Sequence, residues 1–392
     1  MGNAYLQTEL SGETKQQGLR VAMIGHKRIP TREGGVEIVV EELSVRMVEK
    51  GLTVDVYNRK DRFGRKYKQP KSFKNVRIIQ IPTFRPDALN AFVYSVLASI
   101  RVLFGKYDCI HYHAEGPSAM LWIPKIFGKK VVCTIHGLDW QRSKWGGFSA
   151  WYLRLGERIA AKFADEIVVL SKNVQRYFRE TYGRNTHYIP NSVEMKTESY
   201  PPRAIKTQFG LEKDGYILFL ARIVPEKGLH YLIEAYKNID TDKKLVIAGG
   251  LDYVKNYTKL IMSLAEGDDR IIFTDFVRGT VLDELFDNCF IYVLPSDIEG
   301  MAISLLECLS YSSPCLVSDI PENIEVVGEL MPTFEHGNVK SLERELRSIL
   351  DGNRPVIRDR SLYADMLKRY KWDEIVEHTI DLYKSYRLRE RK

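Results

Sequence analysis

The residues in this sequence best placed to do chemistry are cations and carboxylates that follow immediately on short apolar runs. Tyr216 to Ala221 runs straight into Arg222, then into Pro225, Glu226, Lys227 and Gly228, and a helical pattern starts at Leu229. Two fixed cations and the free backbone N–H groups of a helix start, gathered at a strand's carboxyl end, make a seat for a diphosphate. Further on, Ile291 to Leu294 leads through Pro295, Ser296, Asp297, Ile298, Glu299 and Gly300 into an apolar helix that carries Glu307. At 1.5 Å of rise per residue the two glutamates stand about 12 Å apart, beyond the roughly 5 to 9.5 Å of a glycosidase acid pair. That spacing suits opposite ends of one long ligand, such as the sugar and ribose hydroxyls of a nucleotide sugar. A carboxylate at 307 on an otherwise apolar helix reads as buried, and burial is costly unless it is hydrogen-bonded or paired.

The N-terminal half repeats the arrangement. Its first apolar run ends at Gly25 and leads through Pro30 to Gly34, Gly35, Val36 and Glu37 before a helix; adjacent glycines let backbone approach a phosphate or sugar. The run Val131 to His136 continues into Gly137, Leu138, Asp139 and Trp140, and Glu115 with Gly116 follows the run ending at His113. His136, Glu115 and Asp139 are candidate site residues at these strand ends. No dinucleotide-type Gly-X-Gly-X-X-Gly follows the first run, which disfavours a dehydrogenase. Asp240-Thr241-Asp242 has the spacing of a metal-binding Asp-X-Asp, but it precedes a strand in a polar connector, so no metal site is expected.

Elements that put these residues in one place must be strands ending at a common edge. Candidate strands begin at Leu19–Gly25, Thr53–Tyr57, Val76–Ile81, Cys109–His113, Val131–His136 and Glu166–Leu170. The pattern then restarts at Tyr216–Ala221, Leu245–Gly249, Ile271–Thr274, Ile291–Leu294 and Cys315–Ser318. Helical patterns lie between them, the sequence form of parallel sheets buried on both faces. Two successive sets imply two doubly wound Rossmann-like domains joined near Asn191 to Ala204, with ligands beyond the strand carboxyl ends. The expected division is an unstructured extension over 1–18, one Rossmann-like domain over 19–195, a second over 196–372, and a terminal helix over 373–392 that crosses back. Leu89 to Phe104 places Leu89, Phe92, Val93, Val96, Leu97, Ile100, Leu103 and Phe104 on one helical face, read as a core helix on the first sheet or else as a membrane-surface helix.

With 392 residues, 44% of them hydrophobic, the chain is long enough for two cores, and its formal charge of +7 is compatible with anionic substrates. Cys109, Cys133, Cys289, Cys308 and Cys315 lack metal or redox spacing and sit in apolar runs, as in a reduced cytoplasmic protein. Residues 59–74 hold Arg59, Lys60, Arg62, Arg65, Lys66, Lys68, Lys71 and Lys74 against Asp61, with Phe63, Tyr67 and Phe73 interleaved. Such a stretch fits an anionic membrane surface on the inner face of the cell, or a solvated loop; no nucleic-acid module accompanies it.

The run Ala-Arg-Ile-Val-Pro-Glu-Lys-Gly from Ala221, with Glu299 and Glu307 separated by seven residues, resembles the donor-site motifs of retaining GT-B glycosyltransferases of family four, over nearly the whole chain. The resemblance implies two Rossmann-like domains facing across a cleft and transfer of a sugar from a nucleoside diphosphate, with no cofactor or metal. It implies that Arg222 and Lys227 neutralise the diphosphate, that Glu299, with Gly300 and Met301 beside it, meets the transferred sugar, that Glu307 binds ribose and that His136 contacts the sugar. It also implies that 19–195 is the acceptor domain and 196–372 the donor domain, with Gly34 and Gly35 on the donor side and Glu115 and Asp139 on the acceptor side. UDP- or dTDP-sugars are the favoured donors, and a glycan or lipid-linked molecule in cell-surface polysaccharide synthesis is the expected acceptor. Asp139, Trp140, Arg142, Lys144 and Trp145 resemble a bacterial rhamnosyltransferase-like subgroup, whose members often carry aspartate at the position of His136. Asn191, in Ile-Pro-Asn-Ser-Val-Glu, resembles the family's Pro-Asn-Gly-Val and is assigned to the hinge. A nucleotide-sugar epimerase and a non-catalytic nucleotide-sugar-binding assembly protein are the rival readings.

Overall fold

The computed structural model describes residues 18–60, 69–83, 87–142, 147–251 and 254–389. Most of the extension over 1–18, the middle of the basic stretch (61–68) and Lys144 with Trp145 lie outside them.

Valine- and isoleucine-rich runs become the strands β1 (Arg20–Ile24), β2 (Thr53–Lys60), β3 (Ser72–Phe73), β4 (Val76–Pro82), β5 (Cys109–His113), β6 (Val131–Ile135), β7 (Glu166–Val169) and β8 (His187–Tyr188) of a first sheet. Its order is β3-β4-β2-β1-β5-β6-β7-β8, parallel except for β3. The second sheet comprises β9 (Tyr216–Leu220), β10 (Lys244–Ala248), β11 (Ile271–Asp275), β12 (Ile291–Leu294), β13 (Cys315–Ser318) and β14 (Thr333–Phe334), in the order β11-β10-β9-β12-β13-β14 and parallel throughout. The strand order reverses between β1 and β5 in one sheet and between β9 and β12 in the other. At such switch points the flanking helices diverge and leave a crevice beyond the strand ends.

Each sheet is covered on both faces. On the first, Val21, Met23, Val54 and Val56 pack under the helix Gly35–Glu49 and the terminal helix, while Ala22, Ile24, Ile110 and Tyr112 face the opposite layer. The terminal helix, Trp372–Arg389, belongs to the first core through Trp372, Ile375, Val376, Ile380 and Tyr383, and Tyr383 Oη lies 2.6 Å from His111 Nδ1. The irregular segment from Asn191 to Arg203 joins the halves.

Three readings need correction. The basic stretch 59–74 is not one loop: Arg59 and Lys60 finish β2, and Phe73 pairs with Val76 in the β3–β4 hairpin. The helix Asp87–Arg101 does pack on the first sheet, but through Tyr94, Ser95, Ala98 and Ser99; Phe92, Leu97 and Ile100 of the predicted core face point outward. Periodicity shows that a helix has two faces without saying which one is inside. Finally, Glu307 is only partly buried.

Candidate active site

After β9 the chain passes through Arg222 into a 3-10 turn, Pro225–Lys227, and then into the helix Leu229–Lys237. Gly228 between them has φ +65°, and a Cβ there would stand 1.9 Å from the Pro295 carbonyl oxygen, so the turn lies directly on the loop leaving β12. That packing sets Lys227 against Glu299. The Lys227 ammonium pairs with Glu299 Oε1, which also accepts from Ser296 Oγ at 2.6 Å. Burial pulls the Lys227 pKa down, Glu299 opposes that shift, and Arg222 and Arg142 add to it. Arg222 makes no ion pair among the described residues. Two neighbouring cations, with one carboxylate directly bonded to them among the described residues, favour an incoming anion.

The loop after β6 meets this one from across the cleft. A Cβ on Gly300 would lie 1.7 Å from the His136 carbonyl oxygen, and a Cβ on Gly137, whose φ is +134°, would lie 3.0 Å from Gly300 Cα. Backbone touches backbone, and only glycines permit it. His136 is buried at this contact, with Nε2 3.1 Å from His113 Nδ1. Burial lowers the His136 pKa to about 4, against the pull of Asp139 and Glu37, so the imidazole is neutral at pH 7.

Arg142, in the stretch after the Gly-Leu-Asp-Trp turn, is central. It pairs with Asp139 at 2.9 Å. Burial opposes its charge, but Asp139, Glu226, Glu299 and Glu115 outweigh burial and raise its pKa. It is thus a cation of the N-terminal half that feels the carboxylates of both halves. Its position two residues past the Gly-Leu-Asp-Trp turn, at a strand's carboxyl end, is the signal that marks it. His113 is legible in the same way, as the last residue of β5. Glu115 starts a short helix after Ala114, whose φ is +71°. Its carboxyl is buried with neither oxygen hydrogen-bonded among the described residues, and burial, then Asp139 and Glu157, push its pKa well above the usual carboxylate range. Glu226 is likewise buried without a hydrogen-bond partner for its carboxylate there.

The remaining predicted residues lie around this centre. Gly34 precedes the helix Gly35–Glu49, and a Cβ on Gly35 would lie 3.3 Å from Ile303 Cδ1 of the other half. Met301 is buried; its carbonyl accepts from Asn191 Nδ2 at 3.2 Å, which ties the interdomain segment to the Glu299 loop. Glu307 lies on the helix Ile303–Ser310, where burial raises its pKa to about 7 while Arg32 and Lys196 draw it down. Asp240 and Asp242 are exposed at the amino end of β10, away from the site.

Two Rossmann-like sheets meeting at their switch points around this cluster define the architecture of a GT-B glycosyltransferase. The family model described as Glycosyltransferase Family 4 matches residues 33–197, and that of Glycosyl transferases group 1 matches residues 203–369. The chain is 23% identical to an uncharacterized glycosyltransferase of Methanocaldococcus jannaschii over 93% of its own length and 98% of the relative's. It is 26% identical to an O-antigen chain mannosyltransferase of Salmonella typhimurium over 62% and 66%. Among solved structures, sucrose-phosphate synthase from Thermosynechococcus elongatus superposes with a TM-score of 0.79 at 20% identity, covering 94% of this chain and 99% of that one. Anabaena HepE in complex with UDP-glucose gives 0.76 at 16% identity, covering 93% and 99%. The chain belongs to the group 1/family 4 type of GT-B glycosyltransferases and is a transferase.

Proposed function

We propose that the protein moves a glycosyl group from a nucleoside diphosphate sugar, a UDP- or dTDP-sugar by preference, to a hydroxyl of a glycan or lipid-linked acceptor in cell-surface polysaccharide synthesis. One observation carries the reading: the Arg222 and Lys227 loop and the Glu299–Gly300 loop leave the two strands that flank the switch point, and the His136–Gly137 loop closes on them. In this scheme Arg222, Lys227 and the backbone N–H groups beside them stabilise charge on the departing diphosphate, so that no divalent ion is required for that task. Arg142 contributes from across the cleft. Glu299 positions sugar hydroxyls, with Gly300 and Met301 alongside, and Glu307 takes the ribose. Neutral His136 hydrogen-bonds the sugar, and Glu115 and Asp139 face the acceptor.

As the bond from C1 to the diphosphate oxygen lengthens, the acceptor oxygen attacks C1 from the same face and its proton passes to the departing diphosphate. The configuration at C1 is retained. HepE, of the same fold, binds UDP-glucose, and the Salmonella relative is named for O-antigen synthesis; both support the choice of donor class and pathway. The Asp139–Trp140 stretch keeps the rhamnosyltransferase-like subgroup within the proposal, and the basic residues of 59–74 support contact with an anionic membrane surface on the cytoplasmic side. No helix among the described residues is long and apolar enough to cross a membrane. The experiment is a product assay with a panel of nucleotide sugars and lipid extracts as acceptors, in EDTA. Acceptor-dependent release of one nucleoside diphosphate supports the reading; donor epimerisation without an acceptor refutes it.

A further inference from the structure

The helix Asp87–Arg101 carries apolar side chains on both faces, Tyr94 and Ala98 inside and others outside. Its inner face carries Tyr94, Ser95, Ala98 and Ser99, buried on the sheet, and Ser99 Oγ lies 2.7 Å from Tyr112 Oη of β5. Phe92, Leu97 and Ile100 are left outside, and Phe104, just beyond, is 77% exposed. The helix Trp122–Ile126 packs beside it and exposes Trp122 and Phe127. On another flank, the helix Gly147–Phe163 adds Phe148 and Trp151, 75% and 56% exposed, and its Tyr152 ring lies 5.8 Å from that of Phe92. Single exposed apolar residues are ordinary; several gathered on neighbouring helices mark an interaction surface.

Where this helix ends, at the amino end of β1 and β4 and so away from the cleft, a pocket of about 310 Å³ is lined by Arg20, Arg77, Arg101 and Lys106 together with Phe104 and Tyr107. Asp55 takes Arg77 Nε at 2.8 Å and stands 3.8 Å from Arg20 Nη2, and Asp108 accepts from the Arg20 backbone at 2.8 Å. Arg101 and Lys106 make no ion pair among the described residues, and Arg20 Nε is buried without a hydrogen-bond partner there. Four cations face two carboxylates, in a pocket rimmed by the most exposed apolar side chain of the patch.

We propose that this face rests on an anionic phospholipid bilayer, with the outward side chains in the interfacial zone and the basic pocket around a lipid phosphate. Charge selects the occupant. A second copy of a chain whose formal charge is +7 would bring cations to cations, whereas an anionic leaflet complements them, each basic residue near the surface adding about fivefold in affinity. The helix runs from the cleft end of the sheet to the pocket, about 21 Å at 1.5 Å per residue, with the helix that starts at Glu115 packed against it. A lipid-linked acceptor would therefore reach the cleft without leaving the membrane; that last point rests on the acceptor proposed above, and the docking does not.

The test is flotation of the full chain with phosphatidylcholine vesicles, with and without phosphatidylglycerol, at low and high salt. Binding is expected only with the anionic lipid. The pair Leu97→Glu/Ile100→Glu and the pair Arg101→Glu/Lys106→Glu should each lose at least about tenfold in affinity while melting like the wild type. Tryptophan emission should shift to the blue on binding, and the shift should vanish when Trp122 and Trp151 are both phenylalanine. Absence of binding to anionic vesicles, unchanged affinity in both pairs, or a lipid-free dimer that buries Trp122 and Trp151 would each overturn the proposal. Transfer to a soluble acceptor by the same variants should stay at the wild-type level, so that failure to dock and failure to transfer are read separately.

Discussion

Replacing Gly300 by alanine isolates the contact that brings the two halves of the site together. The new Cβ would stand 1.7 Å from the His136 carbonyl oxygen and 2.5 Å from its carbon, where ordinary contact begins at 3.4 Å. Both obstacles are backbone atoms, so no side chain can swing aside, and the loops must part by about 1.7 Å, the difference between those distances. The irregular Asn191–Arg203 segment allows the cleft to open without disturbing either sheet, so the melting temperature should barely change. A displacement of 1 Å at reacting groups costs about 100-fold in rate, and a fall in kcat on the order of 100-fold or more is expected. Affinity for the nucleoside diphosphate should change by less than about threefold, because Arg222 and Lys227 reside in one half. Initial rates at saturating donor, a melting curve and a nucleotide titration measure the three quantities. A variant that keeps more than about a third of the wild-type rate would refute the view that the closed contact of His136 with Gly300 is the working geometry.

Three further outcomes are expected. His136→Ala should lower transfer on the order of 100-fold while leaving nucleoside diphosphate binding intact, measured by steady-state rates beside calorimetry; equal loss of both would assign His136 to donor binding alone. Because burial raises the Glu307 pKa to about 7, its contribution to stability is present below the ordinary carboxylate value and is lost as the pH rises through 7. Glu307→Gln should therefore melt higher than the wild type at pH 8, with the gap closing near pH 5 and nucleotide affinity reduced throughout; a pH-independent gap would contradict the shift. Gly228→Ala combines φ +65° with a Cβ 1.9 Å from the Pro295 oxygen, and should destabilise the second half by on the order of 1–3 kcal/mol in denaturant melts. An unchanged melt would show that the turn does not lie on the β12 loop.

Much of this site is legible in the sequence because parallel strands announce themselves as valine and isoleucine runs and ligands gather where those runs end. That rule singles out Arg222, Lys227, Glu299 and His136 as strand-end residues, and their roles come from the family resemblance. Pairs such as Ser72–Phe73, His187–Tyr188 and Thr333–Phe334 are too short to have a period, so β3, β8 and β14 emerge only from their neighbours. Arg142 carries the same strand-end signal, but its weight in the site comes from carboxylates on both halves, which chain order does not encode. Glu307 reads as buried from its apolar neighbours, yet its helix lies at the cleft, where one face stays partly open. The helix Asp87–Arg101 misleads for a related reason: both faces carry apolar side chains, and the one turned to the sheet is that of Tyr94 and Ala98, where Ser99 finds Tyr112.

The central claim is that Arg222 and Lys227 hold a donor diphosphate, and calorimetric titration of wild type and Arg222→Ala with UDP, dTDP and GDP and their monophosphates, all in EDTA, tests it most directly. One nucleoside diphosphate should bind more tightly than its monophosphate, and the arginine variant should lose at least about tenfold on the diphosphate and much less on the monophosphate. No binding without a divalent ion, or equal affinities in the wild type and the variant, would contradict it.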